Sequence, residues 1–127
     1  MKEQSIVYIG DKAPEQYEGP FYDGRNKLLT SGFFNSHAHT PMTLLRGYGE
    51  NMALDAWLNQ RIFPFEAKLQ AGDVYYATLL GIAEMLRYGT VSATDMYYFG
   101  DAMCRAFLDA GFKNNLSLGV TCFDRCV

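Results

Sequence analysis

His37 and His39 stand one residue apart in Asn35-Ser36-His37-Ala38-His39 and are the only two histidines in the chain. Side chains alternate across a strand with period two, so histidines at i and i+2 near a strand's C-terminal end point the same way. Both imidazoles can then converge on one metal ion. Zinc accepts imidazole nitrogen at about 2.0–2.1 Å, and a catalytic zinc site typically has three protein ligands and an open water position. The same spacing also suits two histidines that hydrogen-bond loop backbone. Context selects the metal reading, because the pair follows the first strand of a strand–helix series.

Other patterns that carry chemistry are missing. There is no H-E-x-x-H of a zinc protease helix, and no H-x-E paired with P-C-x-x-C of the cytidine-deaminase type. Neither G-x-G-x-x-G nor a P-loop occurs, so the glycines that would bring backbone amides against phosphate are not at the first strand-to-helix turn. Cys104, Cys122 and Cys126 are an odd number crowded near the end, which implies no disulfide framework and fits a reducing cytoplasm. Cys122 and Cys126 are expected to be a strand thiol and a terminal one. A formal net charge of −3 without any run of like charges gives no basic footprint for nucleic acid or anionic membrane. The short apolar stretch Ile6–Ile9 cannot serve as a signal core or a membrane span. A small neutral or mildly polar molecule is the expected partner.

The elements that must hold the histidines follow from patterning. Nine Tyr, nine Phe and one Trp in 127 residues argue for a packed globular chain rather than a disordered one. Ser5–Gly10 reads as a short β-branched strand, and Asp11–Gly24, with Pro14, Gly19, Pro20 and Gly24, as turn and loop. Leu28–Phe34 is an apolar run expected as the strand that leads into the histidines. A short helix is expected around Leu54–Arg61. Asp73 is expected to cap a helix whose buried row is Tyr76, Leu79, Leu80, Ala83 and Leu86, closed by Gly89. Thr90–Met96 follows as a strand, Asp101 as the cap of helix Ala102–Ala110, Gly111 as its end, and Asn115–Phe123 as a third strand. The order β-α-β-α-β implies right-handed crossovers and a parallel sheet, the repeat of doubly wound sheets and of (β/α)8 barrels.

With these residues placed, the sequence resembles the amidohydrolase superfamily. It is most similar to the branch of the methylthioadenosine/S-adenosylhomocysteine deaminases, with guanine and cytosine deaminases and triazine chlorohydrolases as relatives. The resemblance runs through Ile6-Val7-Tyr8-Ile9-Gly10, Gly32-Phe33-Phe34-Asn35-Ser36-His37-Ala38-His39-Thr40-Pro41-Met42 and Thr43-Leu44-Leu45-Arg46-Gly47. It continues through Trp57-Leu58, Pro64-Phe65-Glu66-Ala67-Lys68-Leu69, Ala83-Glu84-Met85-Leu86-Arg87-Tyr88-Gly89-Thr90 and Thr94-Asp95-Met96. Two local departures stand out. Ser31 replaces a common Pro, and Leu118 stands where nucleoside deaminases commonly carry an Arg that helps hold substrate.

The resemblance implies an α/β fold. Residues 29–127 would be the first three βα strands of a partial TIM barrel, and residues 1–28 part of a small β-sandwich. Eight βα units typically take about 250 residues, so the segment after Lys27 supplies about three strands of eight. His37 and His39 would be metal ligands to one divalent ion, zinc or else iron or another, which activates water for attack on a C–N bond. Glu66 would hold the ribose hydroxyls of a nucleoside, since a carboxylate accepts two hydrogen bonds from a vicinal diol; otherwise it is a solvated helix-end carboxylate. Trp57 would wall the substrate pocket or simply pack. Asp95 is expected not to be a ligand but a carboxylate that either supports the ligands from behind or is structural, and Met96-Tyr97-Tyr98-Phe99 an apolar floor.

The resemblance places the remaining ligands and the proton-shuttling Glu outside this chain, so no catalytic acid or base is assigned here. The expected function is metal-dependent hydrolytic deamination of an adenine nucleoside or related heterocyclic amine as part of a longer cytoplasmic enzyme, with the 127-residue chain alone inactive. The alternative is a non-catalytic, self-associating remnant or binding module of the same fold. In either case an open parallel sheet should drive homo-oligomer formation.

Overall fold

The computed structural model describes residues 5–119, and the chain divides into two compact units, Met1–Thr30 and Ser31–Val127. In the first unit, every described residue is exposed. Turns close at Pro14–Tyr17 and Gly24–Lys27 through backbone bonds of 3.1 and 3.0 Å. Arg25 forks onto Asp23, with Nη2 to Oδ2 at 2.6 Å, and that side-chain bond holds the Asp23 carboxyl below its ordinary range. Ser5–Gly10, expected as a strand, carries one bridge residue at Ser5 and no strand among the described residues. One bridge falls short of a strand, and a short strand needs neighbours to be stable.

The second unit is a three-stranded parallel sheet in the order β1-β2-β3, with β1 at Phe33–Ala38, β2 at Thr90–Tyr97 and β3 at Lys113–Leu118. β1 lies later than expected. Leu28 and Leu29 are 87% and 94% exposed, and the strand runs through His37 instead of ending before it. β3 begins at Lys113 rather than Asn115, and the end expected at Phe123 lies outside the described residues. β2 and β3 pair without interruption from Ser92↔Lys113 to Tyr97↔Leu118. β1 and β2 do not: Asn35 pairs with Ala93 and Ala38 with Asp95, so three steps on β1 oppose two on β2. That extra residue is a bulge, a device that re-aims side chains. The Asn35 side-chain oxygen accepts the His37 backbone N–H at 3.2 Å within it.

A tight 3-10 turn, Thr40–Leu45, follows β1 directly. The helix expected around Leu54–Arg61 runs further, as α1 Leu54–Trp57, a π turn Leu58–Ile62 and α2 Phe63–Glu66. The Phe63 N–H reaches back five residues to the Leu58 carbonyl. Pro64 explains the wide turn, because a proline inside a helix has no N–H to donate and its ring crowds the carbonyl four residues earlier.

Helix α3, Ala71–Arg87, spans the expected range and stops at Gly89 with φ +82°. Its cap is Gln70 and not Asp73: Asp73 is the third helical residue and its carboxylate accepts the Gln70 N–H at 2.9 Å, completing a reciprocal capping box. The buried face also differs from the expected row. Val74, Ala77, Thr78, Gly81 and Ile82 are buried, whereas Tyr76, Leu80 and Leu86 are about half exposed or more. The reason is close packing. A Cβ at Gly81 would lie 2.3 Å from Thr40 Cγ2, so only the small-residue face admits the 3-10 turn.

Helix α4, Gly100–Ala110, is entered through Phe99 in the left-handed region at φ 54°, with Asp101 inside the first turn instead of capping it. A carboxylate there still favours the helix electrostatically. Gly111, at φ 63°, ends it as expected. Val74 and Ile82 of α3, Ala93 and Tyr97 of β2, Met103 and Phe107 of α4, and Phe112 form the core. No described helix is long and apolar enough to cross a membrane.

Candidate active site

The ends of β1 and β2 meet at one rim of the sheet. The bulge sets Ala38 beside the buried Asp95, so strand alternation turns His37 to the opposite face, where it is exposed. The two imidazoles come together as the spacing predicts, edge to face with centroids 4.8 Å apart. Nitrogens of two rings on one tetrahedral ion at about 2.0–2.1 Å would hold the centroids roughly 5 Å apart, a separation that this pair matches.

His39 is the more constrained of the two. Its Nδ1 lies 2.6 Å from the Met96 carbonyl oxygen. A carbonyl can only accept, so Nδ1 carries a proton, and in the neutral ring Nε2 keeps its lone pair. Metal-binding histidines commonly have this arrangement, in which the second nitrogen is tied to a carbonyl or carboxylate. Among the described residues, no group of three or more His, Cys, Asp or Glu side chains could hold a metal. The donor set present is therefore the imidazole pair.

A cleft of about 230 Å³ opens beside His39, lined by Met42, Trp57, Phe63, Glu66, Met96 and Tyr97 among others. Trp57 and Glu66 are both half-buried in its wall. They reach it from either side of the π turn. His37 is outside the cleft lining but in contact with His39. The cleft is largely apolar, which leaves its polar groups to fix orientation.

One of those groups goes beyond the apolar floor expected of this segment. The Tyr97 hydroxyl donates to Glu66 Oε1 at 2.6 Å, and its ring centroid lies 6.3 Å from that of His39. The phenol is 6% exposed. Burial, then the bond to Glu66, pushes its pKa upward. Met96, Tyr97 and Tyr98 line the cleft and Phe99 does not, and the floor has a hydroxyl in it. Alternation along β2 was the available signal, since it puts Tyr97 on the face of buried Ala93 and Asp95.

Asp95 is 1% exposed. Its oxygens accept the Thr40 N–H at 3.2 Å, the Thr40 hydroxyl and the Met96 N–H at 2.8 Å. It therefore ties β2 to the turn after the histidines, away from the cleft lining. Leu118 is 71% exposed and packs towards Gly100 rather than into the cleft.

Comparison with known proteins sharpens the picture. Residues 28–125 match the profile described as the Amidohydrolase family. A 5-methylthioadenosine/S-adenosylhomocysteine deaminase from Dictyoglomus thermophilum is 48% identical over 115 residues, which is 91% of this chain and 27% of that protein. A 5'-deoxyadenosine deaminase from Methanocaldococcus jannaschii is 42% identical over 91% of this chain and 28% of its own length. The chain thus spans about a quarter of the length of these curated relatives. Among solved structures, an adenosine deaminase from Xanthomonas campestris with bound zinc superposes with a TM-score of 0.64 at 41% identity, covering 66% of this chain and 19% of that one.

Proposed function

The chain belongs to the amidohydrolase family, and from that premise we propose that it supplies the opening strands of a (β/α)8 barrel that hydrolyses the amino C–N bond of an adenine nucleoside. The carrying observation is the convergence of His39, Glu66 and Trp57 on one cleft, with His37 edge-on against His39. The cleft lies at the C-terminal ends of the strands, where barrel enzymes place their chemistry. The deaminase names of the relatives support the substrate class.

In hydrolytic deamination a C–O bond forms at the ring carbon bearing the amino group, the C–N bond breaks and ammonia leaves. A divalent metal supplies the nucleophile for such a reaction by lowering the pKa of water from 15.7 towards about 7. On this reading His37 and His39 hold it, with His39 aimed by its Nδ1–H bond to Met96. Zinc is the proposed ion, supported by its presence in the solved neighbour; imidazole also suits iron. Glu66, with Oε1 occupied by Tyr97, offers Oε2 to the ribose hydroxyls. Trp57 covers the heterocycle and keeps water from it.

Catalytic zinc typically needs three protein ligands, and the described residues offer two imidazoles. The third ligand and the proton shuttle are therefore proposed to come from other residues, and the 127-residue chain alone to be inactive. The same reading assigns residues 1–28 to a small β-sandwich, and the protein to the cytoplasm, which suits the exposed free thiol of Cys104.

Calorimetric titration with zinc, paired with an ammonia-release assay, tests the proposal. The chain should bind zinc weakly, His37→Ala/His39→Ala should not bind it, and deamination of 5-methylthioadenosine should appear only when the remaining strands of a relative are supplied. Deamination by the chain alone, or zinc binding that survives the double substitution, would sink it. A non-catalytic, self-associating module is the second reading, favoured by the exposure of Phe34 and Leu118 at 75% and 71%. A metal-free oligomer would support that one.

A further inference from the structure

Asp95 has a burial that its packing role alone does not require. A carboxylate only accepts hydrogen bonds, and taking its charge out of water is costly unless donors surround it. Among the described residues no Lys or Arg pairs with it. Its donors instead come from two residues, Thr40 through both N–H and hydroxyl, and Met96 through its N–H.

Those two residues are also the ones that set His39. Thr40 is its chain neighbour, so fixing the Thr40 N–H fixes the peptide group on the His39 side. Met96 presents the carbonyl that takes the His39 Nδ1 proton at 2.6 Å, and its own N–H is held on Asp95 Oδ1 at 2.8 Å. One carboxylate thus clamps both the backbone that carries the imidazole and the residue that receives its proton.

We propose that Asp95 is a positioning residue that fixes the tautomer and aim of His39, acting through Thr40 and Met96. It touches neither substrate nor metal. Its effect is to keep the proton on Nδ1 and the lone pair on Nε2. The part of the proposal that concerns metal affinity rests on the reading of His39 as a ligand, whereas the part that concerns the tautomer does not.

The test uses the 127-residue chain, labelled with nitrogen-15 and free of metal, with long-range proton–nitrogen correlation of the imidazoles at neutral pH. In the parent protein His39 should carry its proton on Nδ1. Asp95→Asn, which exchanges one acceptor oxygen for a donor, should move His39 towards the Nε2–H form and lower zinc affinity 10- to 100-fold, the range expected when a partner of a ligand is lost. Thr40→Val, which removes only the hydroxyl, should give a smaller shift in the same direction, and Thr40→Ser should retain the parent spectrum. An unchanged His39 tautomer with zinc affinity within about twofold in folded Asp95→Asn overturns the proposal. If that variant does not fold, an unchanged tautomer in Thr40→Val overturns it equally. A chain that binds no zinc in any form ends the ligand reading of His39 and leaves the tautomer measurement to decide the role of Asp95.

Discussion

A phenol at position 97 puts one donor into an otherwise apolar wall and spends it on Glu66. Hydrogen bonds to charged groups contribute about 1.5–3 kcal/mol, so Tyr97→Phe should loosen the carboxylate without disturbing the ring packing. In an assay with a relative's remaining strands supplied, KM for the nucleoside should rise roughly tenfold with kcat little changed, since about 1.4 kcal/mol corresponds to a factor of ten. A fall in kcat at constant KM would contradict the role given to Glu66. The same phenol has a pH signature. Folding raises its pKa above the ordinary value near 10, so its contribution is complete below pH 10 and declines above it, where the unfolded chain releases the proton and the folded one does not. Thermal unfolding followed from pH 9 to 11 should lose stability less steeply in Tyr97→Phe than in the parent, by about one proton. At this scale spacing pointed to His37 and His39, and the family resemblance to Glu66 and Trp57; the structure brings His39, Glu66 and Trp57 to one cleft. Neither signal disclosed that Tyr97 and Glu66 pair, because that bond joins positions 31 apart in sequence and depends on how the helical stretch leans on β2.

Among the elements, α3 separates what patterning can and cannot say. Its length and its terminal glycine follow from local signals. Its buried face does not, because the row of large apolar residues reads as core while the small-residue row is the one that packs. Gly81 decides this, with Thr40 Cγ2 and the Thr40 carbonyl 2.3 and 3.2 Å from where a Cβ would stand. Gly81→Ala gains up to about 1 kcal/mol in helix propensity, but forcing a methyl into a filled contact costs about 1–3 kcal/mol. The expected outcome is a net loss in Tm, read by calorimetry, together with weaker zinc binding, because Thr40 must move and it adjoins His39. A more stable variant with unchanged zinc affinity would show that the 3-10 turn yields freely. The π turn ahead of Pro64 has a similar lesson. A helix was legible from Leu54 onward, but the wide turn that lets both Trp57 and Glu66 reach the cleft comes from a single missing N–H.

At the scale of the whole molecule, a purely parallel sheet ordinarily has both faces covered, yet Phe34 and Leu118 remain largely exposed. Self-association is the expected result, with a mass by light scattering above that of one chain. Leu118→Lys, a charge on an exposed strand end, should shift the equilibrium towards the monomer. No change in mass would remove the sheet from the interface. The two sheet edges are not equivalent, and the bulge is the reason. The β1–β2 register shifts twice, between Phe33 and Phe34 and between Asn35 and Ala38, whereas β3 keeps even register with β2 along all six of its residues. Among the described residues β3 is thus the more regular edge, and strand addition is predicted to favour it. Copies that join β3 to β3 do so about a two-fold axis and close as a pair, whereas β3-to-β1 stacking would run on into a filament. On that prediction the irregularity beside the two imidazoles would also serve as a chain terminator for assembly.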